Sequence, residues 1–321
     1  MSEFTRIFFA TDIHGSEICF KKFVNAAKFY KADVLVLGGD VTGKMIVPVV
    51  ETDNEEYHAT LLGQEQTAKS KTMLETLQKK IRDSGFYPYL TTQSEFEELN
   101  LNKSKVNDLF RKLMCATLTE WTDYAEKVLK DSNVVCYMTG GNDDAQEVID
   151  VIEEKEHVKN PDGKVVLLDQ EHEMASLGWS NETPWKTPRE TSEEQLEKNI
   201  KDLLSRVGDF RKCVFNFHVP PIDSTLDLCP KLDTSVYPPK PILEGGQYVM
   251  IGAGSTSVRN ALETHQPLLD LCGHIHESRG INKIGRTICI NPGSEYGQGI
   301  LRGAIANIKA DEVVSYQLTA G

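Results

Sequence analysis

Two histidines separated by a single residue, His274 and His276, are the residues of this sequence best suited to chemistry. They follow the apolar run 268–271, which predicts a β-strand. Side chains two positions apart in an extended segment point to the same side, so both imidazoles can converge on one point. Imidazole is a good ligand for divalent zinc, iron and related ions. One such pair is weak evidence by itself, and a metal site here requires further ligands elsewhere in the chain.

Residues of similar chemistry follow four other apolar runs, each at the point where a strand is predicted to end. Asp12 and His14 follow the run 7–10, Asp40 follows 34–38, Asn142 and Asp143 follow 134–138, and His218 follows 213–217. Open α/β sheets bind their ligands in the crevice beyond the carboxyl ends of the strands. Five strand ends that each offer Asp, Asn or His therefore predict a single site.

The elements that must position these residues follow from the periodicity of the sequence. Helical stretches at 17–29 and 106–128 alternate with strand-like runs, which predicts parallel strands joined by helical crossovers. The capping box at 192–195 predicts the start of another helix. From residue 280 onward the pattern changes to short strands separated by glycine turns. That end of the chain is predicted to be antiparallel.

Composition narrows the class of protein and its partners. A chain of 321 residues can bury a large core in one or two domains. The absence of any apolar run near about 18 residues argues against a membrane span. We expect a cytoplasmic protein because no signal-peptide pattern is present and the seven cysteines suit reduced, buried thiols. The net charge of −13 disfavours a nucleic-acid partner, and the oligomeric state is left open.

A long insertion separates two of the candidate residues, Asp40 and Asn142, which lie about a hundred positions apart where a compact α/β unit needs a few dozen. The excess lies at 44–105 and is predicted to contain a hairpin, from Ile46 to Glu51 and from Tyr57 to Leu62, and a helix around Thr67 to Asp83. Because the insertion begins directly after a strand end of the site, it is a candidate cap. A peripheral segment used for oligomerisation is the alternative.

The motifs Asp-x-His, Gly-Asp, Gly-Asn, His and Gly-His-x-His occur here in an order that resembles the calcineurin-like metallophosphoesterase superfamily. The resemblance covers nearly the whole chain outside 44–105, and Asn291-Pro292-Gly293-Ser294 is also similar to the family. It implies an α/β fold of two packed mixed β-sheets flanked by helices, a four-layer αββα sandwich. We expect a single domain over 1–321, with the segment 44–105 inserted in it.

The same resemblance implies two divalent metal ions, of which Mn, Fe, Zn and Ni are all candidates. It places Asp12, His14 and His276 on the first metal, Asn142, His218 and His274 on the second, and Asp40 as the bridge between them. Two such ions about 3.5–4 Å apart can clamp a phosphoryl group and lower the pKa of a shared water. We therefore expect a metallophosphoesterase that hydrolyses the phosphodiester of a small or nucleotide-like molecule. A nuclease, a phosphomonoesterase and a catalytically weak metal-binding scaffold are the alternatives.

Asn142 and Asp143 are the candidate catalytic residues, and Asp143 departs from the family pattern. Many members carry His at this position, where it is thought to protonate the leaving group. A carboxylate beside dications should have a depressed pKa and stay ionised, which makes it a poor general acid. The substitution therefore favours phosphodiesters, or esters with good leaving groups, over phosphomonoesters.

Overall fold

Six strands form the first of two central sheets in the computed structural model, which describes residues 4–52, 56–152 and 155–321. Their spatial order is β24 (Glu312–Ala320), β23 (Arg302–Lys309), β1 (Thr5–Ala10), β2 (Val34–Leu37), β7 (Val135–Met138) and β8 (Val158–Lys159). The strands β1, β2, β7 and β8 are parallel, and β23 and β24 continue the sheet in antiparallel pairing. The predicted antiparallel pairing of the C-terminal end is confirmed for β23 and β24 but not for the strand Thr287–Asn291, which pairs in parallel with its neighbour Leu269–Leu271.

The second sheet also has six strands. Their spatial order is β21 (Gly280–Ile284), β22 (Thr287–Asn291), β20 (Leu269–Leu271), β13 (Cys213–Phe217), β10 (Glu173–Leu177) and β9 (Val165–Leu167). The four inner strands are parallel, and the two edge strands, β21 and β9, are antiparallel to their neighbours. The strand ends that carry the candidate residues are thus divided between two sheets.

Helices cover the outer faces of both sheets. In the described ranges the α-helices are α1 (Glu17–Tyr30), α2 (Lys71–Asp83), α3 (Gln93–Leu101), α4 (Lys103–Leu129), α5 (Gln146–Ile149), α6 (Glu193–Leu204) and α7 (Thr256–His265). The helices α1, α4 and α5 pack on the first sheet, and α6 and α7 pack on the second. A third apolar core lies between the sheets. These layers confirm the predicted αββα sandwich.

The apolar strand sequences follow from burial on both faces. In β1, Ile7 and Phe9 point into the core between the sheets, whereas Phe8 and Ala10 point toward the helical layer. A strand buried on both faces reads as a continuous apolar run, with no alternation of polar residues. Polar residues are therefore rare in the strand interiors, with Asn216 and Asp270 as buried exceptions, and become frequent where the strands end, at the edge of the sandwich that carries the candidate site.

The insertion at 44–105 forms a small α/β unit with its own apolar core. Its sheet has the order β5 (Gln64–Ala68), β4 (Tyr57–Leu61), β3 (Ile46–Glu51) and β6 (Tyr87–Thr92). The predicted hairpin is present as β3 and β4. The predicted helix begins four residues later than Thr67, because β5 pairs with β4 as a strand and Ser70 caps α2.

An arm of the chain, residues 228–252, was not predicted from the sequence. It is built from three two-stranded ladders: β14 (Leu228–Pro230) with β19 (Met250–Gly252), β15 (Leu232–Asp233) with β16 (Lys240–Pro241), and β17 (Leu243–Glu244) with β18 (Gln247–Tyr248). A further short ladder joins β11 (Ser180–Asn181) to β12 (Glu190–Thr191). Within the described residues, none of the helices combines the length and apolarity needed to cross a membrane.

Candidate metal centre

The candidate residues of both sheets lie together at one edge of the sandwich. Asp12, His14, Asp40, Asn142 and Asp143 come from the ends of β1, β2 and β7, and His218, His274 and His276 come from the ends of β13 and β20. Most of these side chains are buried, and three of the groups of potential metal ligands in the described residues are drawn from this set. The structure thus brings together all of the residues that the sequence singled out.

One group of ligand atoms consists of Asp12, His14 and His276. The Nε2 atoms of His14 and His276 are 3.0 Å apart, and Nε2 of His276 is 3.3 Å from Oδ1 of Asp12. Two facing ring nitrogens and a carboxylate oxygen form a donor set that suits a divalent transition metal.

A second group surrounds the side-chain oxygen of Asn142. Oδ1 of Asn142 lies 3.0 Å from Nε2 of His218 and 2.8 Å from Nδ1 of His274. The other ring nitrogen of His218, Nδ1, is 3.1 Å from the carbonyl oxygen of Gly38. A proton held at Nδ1 by that carbonyl leaves Nε2 free to act as a ligand.

Asp40 lies between the two groups. Its Oδ2 is 3.6 Å from Nε2 of His14, and its Oδ1 is 3.4 Å from Nε2 of His218. With ligand bonds of about 2.1 Å, neighbouring ligands are about 3.0 Å apart in an octahedron and about 3.4 Å apart in a tetrahedron. The separations within the cluster have these dimensions, so the residues fit divalent metal ions, and Asp40 contacts both groups.

Four of the seven predicted ligands have a backbone conformation that favours glycine. The φ angles are 52° for Asp12, 38° for His14, 48° for Asp40 and 64° for His274. Positive φ is uncommon for residues other than glycine, and it costs of order 1–3 kcal/mol at each position. Such strain persists where the surroundings fix it and is concentrated at functional sites. The backbone conformation thus indicates a functional site at these residues, independently of their side-chain chemistry.

The pKa shifts favour the metal-binding protonation states of Asp40, His14 and His274 but oppose that of His218. Burial opposes ionisation of Asp40, but the neighbouring His218 outweighs it and holds the pKa of this carboxyl well below its usual range. Burial lowers the pKa of His14 and lowers that of His274 to about 4. The reverse holds for His218, because Asp40 overcomes the effect of burial and raises the pKa to about 9. His218 must therefore lose a proton to become a ligand.

Asp144 binds the backbone of two loops that carry residues of the cluster. Its buried carboxylate accepts hydrogen bonds from the backbone amides of Val41, Thr42 and Gly141, at 2.9, 2.8 and 2.8 Å. These bonds fix the loop after Asp40 against the loop that carries Asn142. From the sequence, the position of Asp144 is equally consistent with a carboxylate that orients a metal ligand and with an exposed helix start, and its complete burial excludes the exposed position.

A loop at 182–190 contacts the metal centre from a distant part of the sequence. Nδ2 of Asn142 donates a hydrogen bond to Oγ1 of Thr187 at 2.8 Å, and Thr187 donates in turn to Oε1 of Glu190 at 2.7 Å. The backbone amide of Arg189 donates to the carbonyl oxygen of Asn142 at 3.0 Å. Because Nδ2 is held on this side, Oδ1 of Asn142 faces the histidines. Sequence analysis did not identify Thr187 or Glu190.

Asp143 lies at the rim of the cluster and pairs with a cation. Its Oδ2 is 2.9 Å from Nζ of Lys44 and 3.7 Å from Nδ1 of His14. In the metal-free chain, burial and the Asp40 carboxylate raise the pKa of Asp143 to about 6, against the opposing effect of Lys44. The depressed pKa expected from the sequence depends on bound cations, and it stays a prediction for the metal-loaded protein.

A cleft with a volume of about 1120 Å³ opens above the cluster. Its walls come from α4, from the 182–190 loop and from the arm. Among the described residues of the insertion, Lys44 is the one that lines this cleft. Most of the wall therefore comes from segments outside the insertion, and its role as a cap stays a prediction.

The fold and the cluster define a class of protein: an αββα sandwich in which aspartate, asparagine and histidine side chains that could hold metal ions lie together at the ends of the strands. No family model matches the chain. The uncharacterized protein MJ1162 of Methanocaldococcus jannaschii is 31% identical over 186 residues, which are 56% of this chain and 75% of that protein. The chain therefore belongs to the same family as MJ1162.

Solved structures resemble the fold at low sequence identity. One crystal structure matches with a TM-score of 0.58 and 15% identity, over 98% of both chains. The protein TT1561 of Thermus thermophilus matches with a TM-score of 0.51 and 13% identity, over 99% of this chain and 98% of that one. Both likenesses concern the fold alone. The structure of a novel archaeal phosphodiesterase aligns with 98% of this chain and 99% of its own chain at 11% identity. Its TM-score of 0.34 is too low to support a structural comparison.

Proposed function

We propose that this protein is a metal-dependent phosphoesterase that hydrolyses phosphodiesters of small or nucleotide-like molecules. The observation that carries the proposal is the convergence of ligand atoms from five strand ends, at mutual distances that suit divalent metals. In this proposal Asp12, His14 and His276 hold one metal, Asn142, His218 and His274 hold the other, and Asp40 bridges them. The motif order shared with calcineurin-like metallophosphoesterases supports the same assignment.

Bound divalent cations would supply Lewis-acid stabilisation of phosphoryl charge and a more acidic water. Other residues of the protein hold and orient the side chains that would bind the metals. Asp144 holds the loops that carry Asp40 and Asn142. Thr187 accepts a hydrogen bond from Nδ2 of Asn142 and so orients Oδ1 of this side chain toward the histidines. Asn142 is neutral, so it contributes a ligand oxygen without cancelling positive charge that a phosphate would bind.

The proposal is tested by metal analysis followed by a panel of esters. We expect the purified protein to bind two equivalents of Mn²⁺ or a related divalent ion and to hydrolyse chromogenic phosphodiesters only when loaded. Metal binding without turnover of any ester would favour the scaffold alternative. Hydrolysis confined to monoesters or to oligonucleotides would favour a phosphomonoesterase or a nuclease.

Asp143 leads to a prediction about leaving groups. Without an imidazole at this position the site lacks most of the about 10²- to 10⁴-fold that general acid catalysis contributes. We therefore expect aryl diesters to be cleaved at least about 100-fold faster than alkyl phosphomonoesters, in steady-state kinetics on matched series. Asp143→His should narrow this gap and raise monoesterase activity. Equal rates on acidic and non-acidic leaving groups would contradict the prediction and point to Lys44, 2.9 Å from Asp143, as the proton donor.

Thr187 leads to a prediction about metal affinity. Thr187→Val keeps the shape of the side chain but removes the acceptor for Nδ2 of Asn142. Outer partners of metal ligands typically contribute 10- to 100-fold to affinity, and we expect a loss of about that size for Mn²⁺ in isothermal titration calorimetry. Thr187→Ser keeps the hydroxyl and should bind as the wild type does. An unchanged affinity in the valine variant would show that Asn142 is oriented without Thr187.

A further inference from the structure

Trp185 presents its indole to the cleft above the metal centre. The residue is 54% exposed and lines this cleft, whereas Trp121 is buried in the core beneath α1. A large exposed aromatic side chain at the wall of a concave site is a common feature of binding surfaces, because it offers much contact area at low entropic cost. Trp185 is therefore a candidate contact for the organic part of a substrate.

The loop that carries Trp185 is held rigidly. The carboxylate of Glu190 accepts hydrogen bonds from the backbone amides and hydroxyl groups of both Thr183 and Thr187, at 2.5–2.9 Å. The backbone amide of Trp185 donates to Oγ1 of Thr183 at 3.1 Å, and Pro184 and Pro188 flank the same segment. A preorganised loop loses little conformational entropy when a ligand binds to it.

The same loop is fixed relative to the metal centre. Thr187 accepts the hydrogen bond from Nδ2 of Asn142, and the amide of Arg189 bonds to the Asn142 backbone. The position of the Trp185 loop is thus tied to a proposed metal ligand. A phosphate at the metals and a group beside Trp185 belong to one continuous cleft.

The rest of the cleft indicates the chemical class of that group. Its volume of about 1120 Å³ is far more than a phosphate needs and slightly exceeds the range of about 300–1,000 Å³ that is typical of sites for organic ligands. Phe110 and Met114 of α4 and Ile251 of the arm add apolar surface. The charged residues of the wall have both signs, and Arg111 pairs with Glu147 at 3.1 Å. We infer that the substrate is a phosphate ester with a planar aromatic organic group, such as a nucleobase, that stacks on Trp185.

This inference rests on the proposed function only in placing the phosphate end at the metals. The test compares adenosine 5′-monophosphate with ribose 5-phosphate, which lacks the base, and with decyl phosphate, which has an aliphatic chain. Binding to the Mn²⁺-loaded protein is measured by isothermal titration calorimetry. We expect the nucleotide to bind about 5- to 150-fold more tightly than ribose 5-phosphate, since one base–aromatic stack contributes a factor of that size.

Variants of Trp185 test whether the tighter binding of the nucleotide depends on the indole. Trp185→Ala should remove the preference for the nucleotide while leaving the affinity for ribose 5-phosphate unchanged, and Trp185→Phe should retain part of it. Phe29→Ala, at an aromatic residue that is 78% exposed and does not line the cleft, is the matched control and should have no effect. An equal loss for decyl phosphate in Trp185→Ala would overturn the aromatic assignment in favour of a general apolar contact.

The outcomes for the inference and for the proposed function can be distinguished. Esters that are hydrolysed by a protein with no nucleotide preference, or with a preference that Trp185→Ala leaves intact, would refute the inference and keep the function. A nucleotide preference that depends on Trp185, in a protein that hydrolyses none of the esters, would refute the function and keep the inference.

Discussion

Asp40→Asn is expected to abolish hydrolysis and to weaken binding of both metals. The side chain is buried, and its two oxygens lie 3.4 and 3.6 Å from histidines of different ligand groups. The substitution removes a negative charge and one of two ligand oxygens from the position between the proposed metals. Even outer partners of metal ligands contribute 10- to 100-fold to affinity. We therefore expect at least about a 100-fold loss in Mn²⁺ affinity and no measurable turnover.

A second carboxylate provides the control for this experiment. Asp169 bonds to Thr5 and His172 outside the metal cluster, so Asp169→Asn should keep both metals and full activity. Metal content is measured by elemental analysis after equilibrium dialysis, and circular dichroism checks that each variant is folded. Full activity of Asp40→Asn with two metals bound would show that the bridge assignment is wrong.

Asp270→Asn is expected to raise stability at alkaline pH much more than at acid pH. Asp270 lies in the middle of β20, between Phe215 and Cys289 on the face that packs against α6 and α7. It is fully buried, and the weak interaction of its carboxyl with the Cys289 thiol does not offset the burial. Burial in these surroundings raises the pKa of this carboxyl to about 8.

The direction of the pH dependence follows from the two pKa values. The unfolded carboxyl ionises near pH 4, whereas the folded one stays protonated to about pH 8. Below pH 4 both states hold the proton, and ionisation of the group has no effect on stability. Between these values the folded state must bind more protons than the unfolded state, so the free energy of unfolding falls by about 1.4 kcal/mol per pH unit. Above pH 8 the loss is complete, on the order of 5 kcal/mol.

The measurement is urea unfolding of the metal-free wild type and variant from pH 4.5 to pH 8.5. The stability of Asp270→Asn relative to the wild type should rise by several kcal/mol across this range. Asp169→Asn should differ from the wild type by an amount that hardly varies over this range, because hydrogen bonds outweigh burial and lower the pKa of Asp169, so its contribution to stability changes only below about pH 4. A difference between Asp270→Asn and wild type that does not vary with pH would refute a protonated Asp270 in the folded protein.

The sequence alone determined which residues form the cluster. Buried strands are continuous apolar runs, so the points where His218 and Asp40 appear mark the strand ends without any knowledge of the fold. The carboxyl-end rule for α/β sheets then places these residues at one edge. Periodicity also predicted α1 and most of α4, because each buries one face on the first sheet.

The tertiary structure decided how the cluster is held and what surrounds it. Thr187 and Trp185 lie more than forty positions from Asn142 in the sequence, and no periodicity relates them to it. The arm and the positive φ angles of Asp12 and Asp40 could not be predicted from the sequence either, because loop conformations depend on contacts between distant segments. Local patterns specify elements and their ends because those depend on neighbouring residues. The cleft, and the contacts that orient each ligand, arise only when the two sheets pack and bring remote loops together.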